Sequence, residues 1–182
     1  MCEARKVVFT VSVSFLILTA FASVSEAKTI YVPDDYAKIQ WAVDSASIGD
    51  TIIVRDGTYY ENVVVNKKLT IKSENGSAYC IVDGSSSDVF TLKADGIRIE
   101  GFSITGGSDG IYIRSNNNNI ISNNTISSNK YGIVLGGNNN SISNNLISSN
   151  NDYGIDLEGN NNSISNNIIS NNGCGIMFGV EQ

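Results

Sequence analysis

Apolar and polar positions in the second half of the chain alternate in a phrase that returns three times. Residues 117–137, 138–159 and 160–179 each read close to Asn-Asn-Asn-Ser-Ile-Ser-Asn-Asn-x-Ile-x-Ser-Asn, followed by Gly-Ile-x-Leu. Gly110, Gly132, Gly154 and Gly175 fall 22, 22 and 21 residues apart, and Ile104, Ile126, Ile147 and Ile169 keep nearly the same spacing. A fixed period of this length marks a stacked solenoid. Inside each unit, short runs such as Gly154-Ile155-Asp156-Leu157 and Ser163-Ile164-Ser165 alternate with period two, the pattern of a half-buried strand. The asparagines between the runs tolerate the left-handed backbone that a sharp bend requires.

Strand, bend, strand, bend, strand consumes one period, so the pattern predicts an all-β, right-handed, single-stranded parallel β-helix of about 22 residues per coil. Equivalent residues then stack in columns about 4.8 Å apart. Ile121, Ile142 and Ile164 form one inward column, Ile133, Ile155 and Ile176 a second, and Leu135, Leu157 and Phe178 a third. Asn124, Asn145 and Asn167 are expected to form a ladder of hydrogen-bonded amides. A leucine-rich repeat has a similar length, but its outer segment would fall on Asn, Ser and Gly, which are poor helix formers.

The period breaks near the N-terminus. Between Pro33 and Gly49 the apolar residues Ile39, Ala42, Val43 and Ala46 are spaced for one face of a helix, predicted over about 35–47 with Asp34 or Asp35 as its cap. Such a helix covers the open end of the first coil, where strand edges would otherwise invite association. Trp41 falls off that face and is expected to make a flank contact. The Asn-rich repeats, over about 94–180, run on without a segment that reads as a C-terminal cap. The expectation is a fragment of a longer protein, or an end covered by another molecule, self-association included.

Composition narrows the setting. Arg5 and Lys6 precede an apolar run from Val7 to Ala22, and Ser25-Glu26-Ala27 supplies small residues where a signal peptidase reads, so residues 1–27 are expected to be a signal peptide and 28–182 one β-helix domain. The run is short for a membrane span and is interrupted by Ser12, Ser14 and Thr19, so no membrane insertion is expected once it is removed. The net charge is −6. An acidic chain without a basic patch argues against nucleic acid or anionic membrane as partner. Cys80 and Cys174 lie several coils apart, beyond disulfide reach, and read as small core residues. Asn75, Asn123, Asn139 and Asn161 each begin an Asn-x-Ser/Thr acceptor site for N-glycosylation.

One group of residues could carry chemistry. Ser87-Asp88-Val-Phe-Thr-Leu aligns with Ser108-Asp109-Gly-Ile-Tyr-Ile at a spacing of 21, stacking Asp88 on Asp109, and Lys130 and Asp152 occupy the neighbouring column on the next two coils. Three carboxylates and an ammonium in one groove suit calcium or a uronic acid. Their ordinary role is local hydrogen bonding in the turns before Gly110, Gly132 and Gly154. Asp156 and Glu158 read as a solvated face.

The stretch Thr29-Ile-Tyr-Val-Pro-Asp-Asp-Tyr-Ala-Lys-Ile-Gln-Trp-Ala-Val, continuing through Gly57-Thr-Tyr-Tyr-Glu-Asn-Val into the repeats, resembles the NosD-like parallel β-helix proteins of pectin-lyase-like fold, of the exported archaeal type. The resemblance covers nearly all of residues 28–182. It implies the fold more strongly than the function, because this architecture hosts lyases, esterases, epimerases, adhesins and surface-layer proteins. The copper delivery associated with the NosD name is not supported by the residues: copper prefers His, Cys and Met, and this chain has no His. The epimerases of this fold use a catalytic His that is absent here. Gly57-Thr-Tyr-Tyr-Glu61 is similar to the start of pectin methylesterases, whose catalytic Gln and Asp/Asp/Arg segments have no match in later coils.

The function expected is therefore a secreted or cell-surface scaffold that binds a polysaccharide or cell-surface glycan, with no catalytic residue and no cofactor of its own. Two alternatives stay open. One is a calcium-assisted polysaccharide lyase or hydrolase using the Asp88/Asp109 groove, and the other a purely structural component of the cell envelope.

Overall fold

A computed structural model describes residues 26–179, and the expected signal peptide lies almost wholly outside them. The described chain enters with β1 (Thr29–Val32) and the helix α1 (Ile39–Ser45), then winds through six coils of three strands. Coil 1 holds β2 (Thr51–Val54), β3 (Gly57–Tyr60) and β4 (Val63–Val65), and coil 2 holds β5 (Thr70–Ser73), β6 (Cys80–Asp83) and β7 (Phe90–Leu92). Coil 3 holds β8 (Arg98–Glu100), β9 (Ser103–Thr105) and β10 (Asp109–Ile113), and coil 4 holds β11 (Ile120–Ser122), β12 (Thr125–Ser127) and β13 (Tyr131–Leu135). Coil 5 holds β14 (Ser141–Ser143), β15 (Leu146–Ser148) and β16 (Tyr153–Leu157), and coil 6 holds β17 (Ser163–Ser165), β18 (Ile168–Ser170) and β19 (Cys174–Phe178).

Corresponding strands pair in parallel into three sheets, one beginning at β1, one at β3 and one at β4, which makes the right-handed parallel β-helix the period predicts. The register is the predicted one. Ile121 pairs with Ile142 and Ile142 with Ile164, while Ile133, Ile155 and Ile176 align, as do Leu135, Leu157 and Phe178. The alternate residues fill a continuous apolar core, in which Phe90 and Phe102 meet with ring centroids 5.7 Å apart.

The corners explain why asparagine recurs in pairs. The first residue of each corner in coils 4 to 6 turns left-handed, with φ of 55° to 59° at Asn118, Asn123, Ser128 and their equivalents in coils 5 and 6. The second is an asparagine whose carboxamide bonds from coil to coil. Asn124 Nδ2 donates to Asn145 Oδ1 at 3.1 Å, and Asn145 Nδ2 to Asn167 Oδ1 at 2.9 Å, which is the expected ladder. Two more ladders run beside it, one through Asn119, Asn140 and Asn162 and one through Asn129, Asn150 and Asn172. Each lower asparagine also accepts the backbone N–H of the asparagine above it, as Asn145 Oδ1 does from Asn124 N. The ladders thereby satisfy the backbone groups that the corners remove from the sheets.

Glycine at positions 110, 132 and 154 is a matter of room. A Cβ there would lie 2.6, 2.4 and 2.6 Å from the carbonyl oxygen of the equivalent glycine one coil on, closer than atoms pack.

The N-terminal helix is shorter than predicted and is capped differently. Its apolar face is as expected, with Ile39, Ala42, Val43 and Ala46 all buried. Asp34 and Asp35 do not cap it. Asp34 pairs with Arg55 at 2.6 Å, and the Asp35 carboxylate accepts the Tyr31 N–H, which ties this segment into a turn before the helix can start. The cap comes instead from coil 1: the Glu61 carboxylate accepts the N–H groups of Ile39 and Gln40 at 3.0 and 3.1 Å. Lys67 Nζ donates to the carbonyls of Val43, Asp44 and Ala46 at the other end. Opposite charges thus sit at the helix ends they favour. Trp41 stays half exposed, with the Lys38 ammonium 5.4 Å from its ring centroid. Cys80 and Cys174 are free thiols in different sheets.

Candidate functional site

The outer face of the sheet formed by β4, β7, β10, β13, β16 and β19 carries the residues singled out from sequence. Phe90 pairs with Ile111 and Thr91 with Tyr112, so Asp88 stands one coil before Asp109, as the spacing of 21 implies. Asn62 Nδ2 fixes the approach to β7 by donating to the carbonyls of Gly84 and Asp88 at 2.7 and 2.8 Å. Asp109 is nearly buried, with Ser108 Oγ 3.4 Å from its Oδ1. Burial first, and the facing Asp88 second, push the Asp109 carboxyl up to about 6.

Lys130 and Asp152 form a second pair on coils 4 and 5, Nζ to Oδ2 4.0 Å. The Lys130 ammonium also lies 4.8 Å from the Tyr131 ring centroid, and its pKa is raised chiefly by Tyr131 and then by Asp152 and Asp109. The four predicted residues are therefore two neighbouring pairs rather than one convergent cluster. Among the described residues no three His, Cys, Asp or Glu side chains gather as a metal shell.

Register carries Asp109 onto Tyr131, and Tyr131 stacks against Tyr153 with ring centroids 5.6 Å apart. On the other side of Asp88 opens a cleft of about 610 Å³ whose lining includes Asp88, Thr91, Lys93, Tyr112, Arg114 and Asn116. Sequence reasoning missed Lys93, Tyr112 and Arg114. The signal was present, because Thr91 and Tyr112, and Lys93 and Arg114, share the spacing of 21 that relates Asp88 to Asp109. A shallower depression of about 300 Å³ borders Ser108 and Lys130. Outward side chains on this face combine aromatic rings, carboxylates, hydroxyls and cations in a groove open to solvent, the mixture that grips a sugar by stacking and hydrogen bonding.

All four predicted glycosylation acceptors are exposed. The Asn75 amide donates to Asp56, and the Asn123 amide to Glu100 at 3.2 Å.

Residues 43–181 match the family model described as periplasmic copper-binding protein (NosD). A cell surface glycoprotein from Methanothermus fervidus is 42% identical over 113 residues, which are 61% of this chain and 19% of that protein. The chain thus spans about a fifth of this relative's length. The crystal structure of an alginate lyase from Paenibacillus sp. str. FPU-7 superposes with a TM-score of 0.64 at 20% identity, covering 84% of this chain and 58% of that one. At that identity the likeness is one of fold.

The residues do not fit the copper of the family description. The chain has no His. The Cys80 thiol is fully buried and pushed up to about 12 by that burial, which keeps it from the thiolate form a metal binds. Cys174 and Met177 lie on β19, in a different sheet from Cys80 and four coils further on.

Proposed function

Because the chain belongs to the NosD family and folds as a parallel β-helix, we propose that it acts as an exported surface scaffold whose outer face binds glycan, without catalysis of its own. The 42% identical relative, named a cell surface glycoprotein, supports the location. The observation that carries the binding is the face around β7 and β10, where Tyr112 lines a cleft of about 610 Å³; on coils 4 and 5 of the same sheet Tyr131 and Tyr153 pack together in the column of Asp109. Tyrosine rings stack on the C–H faces of pyranoses while their hydroxyls stay wet, and the surrounding polar groups orient the sugar. The test is a glycan panel scored for binding and for new reducing or unsaturated ends, with and without calcium. Binding without product, weakened by Tyr112→Ala, is expected; no binding to any glycan would remove this reading.

A second reading is favoured by one observation. A carboxyl that titrates near 6 beside a second carboxyl group is a competent proton shuttle near neutrality, and Asp109 beside Asp88 is such a group. On this reading the groove belongs to a calcium-assisted lyase or hydrolase, with calcium held by Asp88 together with substrate groups and Asp109 left to exchange the proton. Product formation that is abolished by Asp109→Ala would establish it in place of the first.

A further inference from the structure

We propose that the cleft across coils 2 and 3 selects an acidic oligosaccharide, with Lys93 and Arg114 acting together as the clamp for its carboxylate or sulfate groups; this rests on the glycan-binding reading of the same face. The two residues follow β7 and β10 at equivalent positions and are therefore about one strand spacing, ~4.8 Å, apart along the axis. Both are exposed, and both line the cleft. Neither side chain takes part in an ion pair or hydrogen bond among the described residues. Several other cations of the outer surface are engaged, Arg55 with Asp34 and Glu74, Arg98 with Glu100, Lys130 with Asp152, and Lys67 with the end of α1.

Of the nearby acids, Asp88 lines the cleft, across Tyr112 from the two cations. The Asp95 carboxylate accepts the Asn117 N–H, and Asp88 lies 3.5 Å from the Thr91 hydroxyl. On a chain of net charge −6, two adjacent cations without ion-pair partners, set beside Tyr112 and outnumbering Asp88, form a positive island. Arginine offers a planar fork to a carboxylate or sulfate and lysine a mobile point charge, so the pair suits one or two anionic groups on a short sugar chain. The island is short. Beyond Arg114 the same column continues as Gly136 and Glu158, and the next outward column brings Asp156, which repels a long polyanion. Tyr112, between the cations and Asp88, supplies the ring on which the sugar stacks.

The test is calorimetric binding of four probes to the wild-type protein: uronic acid oligosaccharides, the same oligosaccharides after carboxyl reduction, sulfated oligosaccharides, and a single-stranded oligonucleotide. At least about a tenfold preference for an acidic sugar over its reduced form is expected, falling steeply with salt. Lys93→Ala and Arg114→Ala should each cut the preference several-fold, the double variant Lys93→Glu/Arg114→Glu should remove it, and Arg114→Lys should keep part of it. Unchanged urea midpoints show that the variants fold. Equal binding of acidic and reduced sugars overturns the clamp and leaves the glycan reading standing, whereas no binding of any sugar overturns both. Tighter binding of the oligonucleotide, lost in the double variant, would assign the pair to nucleic acid instead.

Discussion

Coils 1 to 3 and coils 4 to 6 build the same three-sided cross-section from different side chains. In coil 3 each corner is a left-handed glycine, Gly96, Gly101 or Gly106, followed by Ile97, Phe102 or Gly107. In coils 4 to 6 each corner is a left-handed Asn or Ser followed by a ladder asparagine. The two schemes meet directly, because the carboxamides of Asn119, Asn124 and Asn129 accept the N–H groups of Ile97, Phe102 and Gly107. A corner can therefore be closed by burying an apolar side chain or by hydrogen bonding a buried amide. The difference matters for recognition. The asparagine coils repeat within one residue and hold every loop to the same path, whereas coil 2 carries a longer loop over residues 84–89, beside which the cleft opens. Irregularity, here confined to the half with apolar corners, makes room for a ligand.

That contrast can be broken most severely at its apolar end. Phe102→Ala, at a fully buried ring packed on Phe90, is expected to cost about 3–5 kcal/mol, read as a lower urea midpoint. Asn145→Ala removes the middle rung of the central ladder. It strands the Asn124 N–H and the Ile121 carbonyl inside the stack, so about 2–4 kcal/mol is expected, with faster hydrogen exchange at Asn124. Gly132→Ala drives a Cβ to 2.4 Å from the Gly154 oxygen and should cost about 1–3 kcal/mol. Gly175→Ala, whose nearest neighbour would be 3.8 Å away, should be close to neutral. The pair separates steric need from mere repetition.

A smaller effect concerns the site and depends on pH. The folded Asp109 carboxyl titrates near 6 against an ordinary 3.8, so the folded state holds a proton there that the unfolded chain has lost. Its contribution to stability is intact below about pH 4 and falls as pH rises to about 6. Asp109→Asn should therefore stabilise the protein by about 1–2 kcal/mol above pH 6, with the gain vanishing below about pH 4 in paired urea titrations.

Much of the fold was legible because the constraint on each inward position repeats. Ile121, Ile142 and Ile164 must be apolar, and the period betrays them. The ladder through Asn124 was legible for the same reason, but the ladders through Asn119 and Asn129 were hidden by identity. Neighbouring asparagines perform opposite tasks, one turning the chain and the next bonding between coils, and the letters do not distinguish them. The true helix cap, Glu61, lies 22 residues from Ile39 and emerges only once coil 1 is wound beneath the helix. Asp88 and Asp109 were found through their shared spacing. Lys93, Tyr112 and Arg114 obey the same spacing, but outward positions vary freely from coil to coil, and only the cleft reveals which of them share a wall.

The asparagine ladders also give the solenoid a polarity. Each carboxamide oxygen faces the preceding coil and takes its N–H, while the Nδ2 groups other than that of Asn119 donate back to a carbonyl of that coil, as Asn167 does to Ile142. A coil edge facing the C-terminal side therefore presents corner donors, and the edge it complements presents carboxamide acceptors. Two molecules brought together by edges of the C-terminal sense would lack the carboxamides that meet those corner donors. At its asparagine corners each coil meets its neighbour in one sense, with the carboxamides on the coil that follows.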